Sequence, residues 1–405
     1  MRILHTSDWH LGATLKDHPR DFEHARFLAW LTQRLLEGKF DAIVIAGDIF
    51  DNANPPSRAL TLWYGWLAEV IRLLPDLQLV VIGGNHDSAA RLDAPAELLR
   101  ALRIHTVGGL GRLEDGQPDI GPTLVPLRNA AGEVRVVLGA VPFLGACSTF
   151  DVQRVYERVV EAMRAEAPPT AALMLTGHLY AAGAKGAQRS KDSEREMVGG
   201  VEATSVNVFP EDVAYTALGH LHLPQQPAEN VWYAGSPIPM SFSEQDYAHR
   251  VLQIDIEAVE GGRARAFTTS IPIPRSVEMQ TWPSRTAAMS VAEAALRIAA
   301  LPQGEPGEDG WPLVQIRLAA GATAVDKRAL DERAVSKRLR LLHVDIERSV
   351  TQSDDATPRA RLEDVSPQIV FEDAWRQAHP DEPDVPPDVA AAFAEAVAAY
   401  TQVQA

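Results

Sequence analysis

Short apolar runs recur through the first half of the chain, each bounded by polar or glycine-containing stretches. Ile3–Thr6, Ala42–Ala46, Gln78–Ile82, Val134–Val141, Ala172–Thr176 and Val213–Leu218 have the length of buried strands. Helical spacing lies between them. Phe27, Leu28, Leu31 and Leu35 follow a period near 3.6 and predict a helix over Phe22–Leu36. Ser57–Leu74 is apolar on more than one face, through Leu60, Leu62, Trp63, Trp66, Leu67, Val70 and Ile71. Trp63 and Trp66 there admit two readings, core packing or a homodimer interface. Strands alternating with helices predict an α/β sandwich, sheet covered by helices.

The pattern changes near Ile271-Pro272-Ile273-Pro274, which is expected to be a linker. Beyond it, a helix at Ser290–Ala300, a strand at Leu313–Leu318, a helix at Val325–Leu341 and a strand at His343–Glu347 predict a small α+β unit. Two further helices are expected at Ser366–His379 and Asp388–Thr401, separated by the proline-rich stretch Pro380–Pro387. The division is therefore 1–270, 275–350 and 360–405.

Composition narrows the classes. With 46% hydrophobic and 23% charged residues in 405, the chain is an ordinary globular protein. A net charge of −16 argues against a coat protein for nucleic acid or a surface binder of anionic lipid. It leaves DNA open as a substrate, because half of the charge, −8, falls in residues 354–405. Cys147 is the single cysteine, which removes any internal disulfide or Cys-built zinc site. Neither a signal peptide nor a membrane-spanning run is expected, so the cytoplasm is the expected location.

Five polar clusters each follow an expected strand: Asp8-Trp9-His10, Gly47-Asp48-Ile49-Phe50-Asp51, Gly84-Asn85-His86-Asp87, Gly177-His178 and Gly219-His220-Leu221-His222. Ligands gather at the C-terminal ends of strands, so five clusters at five strand ends can converge on one site. Carboxylate, imidazole and amide oxygen without thiolate suit Mn²⁺, Fe²⁺ or Zn²⁺. Two such ions roughly 3.5–4 Å apart clamp a phosphate and lower the pKa of a water for in-line attack. His86 is placed to serve the phosphoryl oxygens or the leaving group, and Asp51 to hold that imidazole in one tautomer. The other seven histidines are scattered and read as surface or satisfied core residues.

These five clusters, in this order, resemble the calcineurin-like metallophosphoesterase superfamily. Met1-Arg2-Ile3-Leu4-His5-Thr6-Ser7-Asp8-Trp9-His10-Leu11-Gly12 and Ala46-Gly47-Asp48-Ile49-Phe50-Asp51 resemble a narrower group, the SbcD nucleases. So do Gly219-His220-Leu221-His222 and Tyr233-Ala234-Gly235-Ser236-Pro237-Ile238-Pro239. The resemblance is firm over about residues 1–270. It implies an α/β fold: a metallophosphoesterase β-sandwich flanked by helices, a small α+β capping domain and C-terminal partner-binding helices. It implies two Mn²⁺ (Mg²⁺ or another divalent ion being alternatives), the first on Asp8, His10, Asp48 and His222, the second on Asp48, Asn85, His178 and His220. His86 then stabilises the transition state. The implied activity is 3′→5′ exonuclease on duplex ends and endonuclease on hairpins. The implied partner is the coiled-coil ATPase SbcC, around a homodimer of the nuclease chain.

Under that resemblance Ile369, Phe371 and Trp375 become candidate ATPase contacts, with packing on the chain's own domains as the alternative. Lys337, Arg338 and Arg340, in a stretch carrying +4 from Lys327 to Arg340, and Lys185 and Arg189 in a second basic loop, become candidate DNA contacts. Two other classes compete: a phosphoesterase acting on a nucleotide or phosphoprotein, and a metal-free scaffold. The extra domains argue against the first and the intact motifs against the second.

Overall fold

The structure, a computed structural model, describes residues 1–145, 150–182, 204–258, 264–284, 288–304 and 307–347, together with residues 371, 375, 385, 386, 389, 390, 392 and 393. Met1–Glu347 forms one compact unit and Arg348–Ala405 another.

The first unit begins with β1 (Arg2–Thr6), α1 (Asp21–Gly38), β2 (Ala42–Ala46), α2 (Ser57–Leu73), β3 (Gln78–Ile82) and β4 (Ile104–Val107). It continues with β5 (Leu124–Arg128), β6 (Val134–Ala140), α3 (Val152–Glu166), β7 (Ala172–His178) and β8 (Val213–Gly219). Then come β9 (Gln225–Ala228), β10 (Val231–Tyr233), β11 (Arg250–Ala258) and β12 (Ala264–Pro272). The last elements are β13 (Met279–Trp282), α4 (Val291–Ala300), β14 (Leu313–Leu318), α5 (Ala324–Ser336) and β15 (Arg340–Ile346).

Two six-stranded sheets result, ordered β12-β11-β1-β2-β3-β4 and β9-β10-β8-β7-β6-β5. Strands β1 to β4 are mutually parallel, as are β6, β7, β8 and β10. Alternation along each strand sorts the side chains into layers. Ile3, Val44 and Val80 from the first sheet meet Leu138, Met174 and Ala217 from the second in a buried core between the sheets. Leu4, Ile43 and Val81 face outward onto α1 and α2. Val137 and Leu175 face α3 on the opposite side. The order of layers is helix, sheet, sheet, helix. Trp63 and Trp66 are buried against Trp9 and Phe27, so core packing accounts for both.

A three-stranded parallel sheet, β13-β14-β15, carries α4 and α5 on a core of its own that includes Trp282, Ile298, Ile316 and Leu330. Both helices open with a capping box, Ser290 with Glu293 and Thr323 with Asp326. Leu15, Phe242, Val277, Met279 and Leu313 form a small cluster that joins this sheet to the loops of the sandwich.

Two sequence expectations are corrected here. Ile271-Pro272 is the end of β12, not a linker: Ile271 pairs with Val251 and Pro272 with Arg250. A proline is tolerated there because β12 is an edge strand and Pro272 its last residue. The helix expected over Val325–Leu341 stops at Ser336. Arg338 adopts φ 57°, a left-handed residue that ends the helix without glycine. The chain then enters β15 at Arg340, with Leu339 buried.

Candidate metal centre

The five clusters meet where the C-terminal ends of β1, β2 and β3 in one sheet face those of β7 and β8 in the other. Three of the residues, Asp8, His10 and Asp48, have φ near +50°, and His220 has φ 98°. Left-handed backbone at four non-glycine residues is strain of the kind that persists at functional sites. Main-chain bonds hold it in place: Asp8 N–H donates to Gly47 O (3.1 Å) and His10 N–H to Asp48 O (3.0 Å). The neighbouring glycines are set by close approach. A Cβ on Gly84 would lie 2.2 Å from Asp48 Oδ1, and one on Gly219 would lie 1.9 Å from Ala46 O.

Asp48 is held by one oxygen and presents the other. Asp48 Oδ1 accepts the His86 N–H at 2.8 Å, and Oδ2 lies 3.3 Å from His178 Nε2 and 3.6 Å from His10 Nε2. Asp48 therefore stands between two groups of ligands. On one side His10 Nε2 and His222 Nε2 are 3.2 Å apart, with an Asp8 oxygen within 4.8 Å of both rings' ligand atoms. On the other side Asn85 Oδ1 is 3.0 Å from His178 Nε2 and 3.0 Å from His220 Nδ1. Asp8 itself accepts from His220 N–H (2.8 Å) and Ser7 Oγ–H (2.6 Å).

The donor chemistry fits cations. His178 Nδ1 faces the Ala46 carbonyl at 2.9 Å and His222 Nδ1 faces the Glu244 carboxylate at 2.9 Å. These partners only accept, so Nδ1 carries the proton in both rings and Nε2 of the neutral ring is a lone pair. The His178 lone pair points at Asn85 Oδ1 (3.0 Å) and Asp48 Oδ2 (3.3 Å), and the His222 lone pair at His10 Nε2 (3.2 Å), an arrangement that suits a positive charge at its centre. Protons supply part of that charge. Burial alone would lower the His178 pKa, but the charges of Asp48 and Asp8 push it up to about 9. Burial raises the Asp48 carboxyl, yet His178 above all, then His10 and His86, hold it well below the usual range. Divalent ions take the place of such protons.

His86 lies beside this set, its ring edge-on to His10 with centroids 4.7 Å apart. Its Nδ1 donates to a main-chain oxygen, that of Asp51, at 2.6 Å. The Asp51 carboxylate lies 3.6 Å from His10 Nδ1. Any residue at position 51 supplies the carbonyl, so the main chain is one group that holds this ring.

Two carboxylates, the partly buried Asp87 and the buried Glu244, carry no role in the sequence reading. Asp87 accepts the N–H groups of Ile49 (3.1 Å), Phe50 (3.0 Å) and Gly84 (3.0 Å), stitching the Asp48 loop to the Asn85 loop. Burial and then the charge of Asp48 push its pKa up to about 6. It stood in a motif already singled out, next to His86. Glu244, fully buried behind His222, lies in no motif.

The other candidates fall outside the centre. Lys337 Nζ donates to Leu301 O (2.7 Å), Arg338 to Gly304 O (2.8 Å), and Arg340 packs on His18 at 2.8 Å. In the second unit Phe371 stacks on Phe393 at 4.1 Å, with Trp375 at 6.3 Å. Lys185, Arg189 and Ile369 lie outside the described residues.

Residues 1–224 match the family of calcineurin-like phosphoesterases. Over 392 residues the chain is 37% identical to the D subunit of nuclease SbcCD from Rhodobacter capsulatus, covering 93% of this chain and 94% of that one. It is 36% identical over 288 residues to the protein of the same name from Bacillus subtilis, covering 64% of this chain and 67% of that one. With the Escherichia coli protein the identity is 33% over 275 residues, covering 62% and 64%.

Proposed function

The chain belongs to the calcineurin-like phosphoesterases and, within them, to the SbcD nucleases, and from that premise we propose that it cleaves DNA at a two-manganese centre in a complex with the coiled-coil ATPase SbcC. It is a metal-dependent nuclease, a hydrolase of phosphodiester bonds. The observation that carries the finer reading is the convergence of lone pairs on either side of Asp48.

Asp8, His10, Asp48 and His222 would hold one cation, and Asp48, Asn85, His178 and His220 the other. When bound, the pair supplies positive charge to the phosphodiester and a water of lowered pKa. The protein's own part is positioning and proton transfer. The Asp51 carbonyl fixes the His86 ring through Nδ1, and the imidazolium form, protonated on both nitrogens, gives the Nε2 proton to the oxygen that leaves phosphorus and is left neutral. The substrates are duplex ends, degraded 3′→5′, and hairpins, opened endonucleolytically. On the small α+β unit, residues 275–350, Lys327 and Arg333 are exposed on α5 and serve as phosphate contacts, since Lys337, Arg338 and Arg340 are engaged within the chain. The segment 360–405 serves the ATPase, through the aromatic group of Phe371, Trp375 and Phe393. No helix among the described residues is long and apolar enough to cross a membrane, and the cytoplasm is the proposed location.

The test uses purified protein, Mn²⁺, a labelled hairpin and a labelled blunt duplex, with and without the ATPase and ATP. Hairpin opening and 3′→5′ shortening are expected. Absence of cleavage under every condition overturns the DNA reading, and cleavage unchanged by Asp48→Asn overturns the site.

A further inference from the structure

We propose that Glu244 is a positioning residue that fixes His222 as the Nδ1-protonated tautomer and so delivers the Nε2 lone pair to a cation. The proposal rests on the metal-centre reading above. Glu244 is fully buried and both of its oxygens are used: Oε1 lies 2.9 Å from His222 Nδ1, and Oε2 accepts the Met240 N–H at 2.7 Å. The turn that carries it, Phe242–Glu244, is anchored from outside the sandwich. Phe242 packs among Leu15, Val277, Met279 and Leu313, and Gln245 Oε1 accepts from Thr281 Oγ at 3.1 Å. The carboxylate is thus held from both ends against the imidazole.

A comparison with two other rings of the site shows what is special. His178 and His86 also commit Nδ1 to an acceptor, but those acceptors are neutral carbonyls, of Ala46 and Asp51. His222 faces a full negative charge. A buried carboxylate is costly unless charge or strong donors compensate it. An imidazole that donates to it while binding a cation through the other nitrogen supplies that compensation, and the carboxylate in return raises the ring's basicity. Packing alone does not ask for a charge, since glutamine has nearly the same shape. Glutamine, however, offers a single oxygen to two donors, the Met240 N–H and the His222 Nδ1–H. One of them must then meet an NH₂ group, and turning His222 to the Nε2-protonated form is the available relief.

Three readouts test this. In metal-free wild-type protein, nitrogen NMR of the imidazoles should show His222 protonated at Nδ1, and a proton at Nε2 overturns the proposal without reference to any metal. By calorimetry, Glu244→Gln should weaken Mn²⁺ binding by about 10–100-fold, the usual cost of losing such a partner, and shift the His222 tautomer. Affinity within twofold of wild type and an unchanged tautomer overturn it. In a His222→Ala background, Glu244→Gln should weaken Mn²⁺ binding no further, and an additive loss shows that Glu244 acts by another route. If wild-type protein binds no Mn²⁺ while His222 still carries its proton on Nδ1, the metal-centre reading fails and the tautomer assignment stands.

Discussion

The two sheets equip one centre in different ways. The first sheet supplies Asp8, His10, Asp48, Asn85 and His86 from the ends of β1, β2 and β3, and it positions them through the backbone. Three of the five have left-handed φ, and their loops are laced by main-chain bonds, Leu11 N–H to Ile49 O (2.9 Å) and Asp51 N–H to Leu11 O (3.2 Å) among them. The second sheet supplies only imidazoles, His178, His220 and His222, and two of these are positioned through the far ring nitrogen, by Ala46 O and Glu244. A backbone-built rim fixes where an atom is. A rim built on ring acceptors fixes which nitrogen carries the proton. Damage to the first should remove the site, and damage to the second should detune it.

The largest effect should come from the residue that belongs to both. Asp48→Asn leaves one oxygen where two are used, one on His86 N–H and one between His10 and His178. Activity should fall below about 10⁻⁴ of wild type, more than about 5 kcal/mol of transition-state stabilisation. Circular dichroism should be unchanged and calorimetry should show loss of both Mn²⁺ ions. Retention of both ions would show that the rims hold metal independently.

His86→Ala comes next and should separate chemistry from binding. The residue stands beside the ligands and is held by a carbonyl, so Mn²⁺ affinity should stay within a few-fold while kcat falls about 10²–10⁴-fold, the span of a lost general acid. Single-turnover cleavage and calorimetry on the same sample give both numbers. A matching loss of affinity would place His86 among the ligands.

Asp51→Ala should do much less. One group that holds His86 is the main-chain oxygen of residue 51, which alanine keeps. The lost carboxylate, 3.6 Å from His10 Nδ1, is half-exposed and therefore screened, and the expected cost in kcat/KM is under about tenfold. A loss as large as that of His86→Ala would mean that the carboxylate, and not the carbonyl, sets the proton on His86.

The same contrast explains what was legible in the sequence. Every residue of the proposed ligand set lies within a few residues of a strand end, and the strands announce themselves as apolar runs. Ala42–Ala46 and Gln78–Ile82 have the expected bounds. Backbone positioning is local, so it leaves its mark in spacing and in flanking glycines. Glu244 is 22 residues from the ring it orients and reaches it through tertiary packing, which no spacing encodes. Asp87 sat in full view, but its three N–H partners come from two loops, the farthest, Ile49, 38 residues away from it. The small α+β unit was legible in outline and not at its joints. The turn at Arg338 uses a left-handed arginine where glycine would have marked it, and an edge-strand proline at 272 imitated a linker.

The smallest effect tests how the two sheets are tied beneath the centre. His5 on β1 lies 3.0 Å through Nδ1 from the Tyr215 hydroxyl on β8, within the buried interior. Burial, with a smaller contribution from the charge of Arg250, lowers its pKa from 6.5 to about 3. The native state therefore holds His5 neutral while the unfolded chain takes up a proton near pH 6.5. A lowered histidine pKa makes its contribution complete above pH 6.5 and erodes it as the pH falls from there toward 3. His24 behaves alike, with a pKa of about 3, so a single variant isolates one proton. Between pH 7 and 5.5, wild-type stability in urea should fall by about 1 kcal/mol more than that of His5→Gln, one proton's worth over that interval. The comparison reads a slope, so any constant penalty of the substitution cancels. Equal slopes would mean that His5 titrates in the folded state as it does in the unfolded chain.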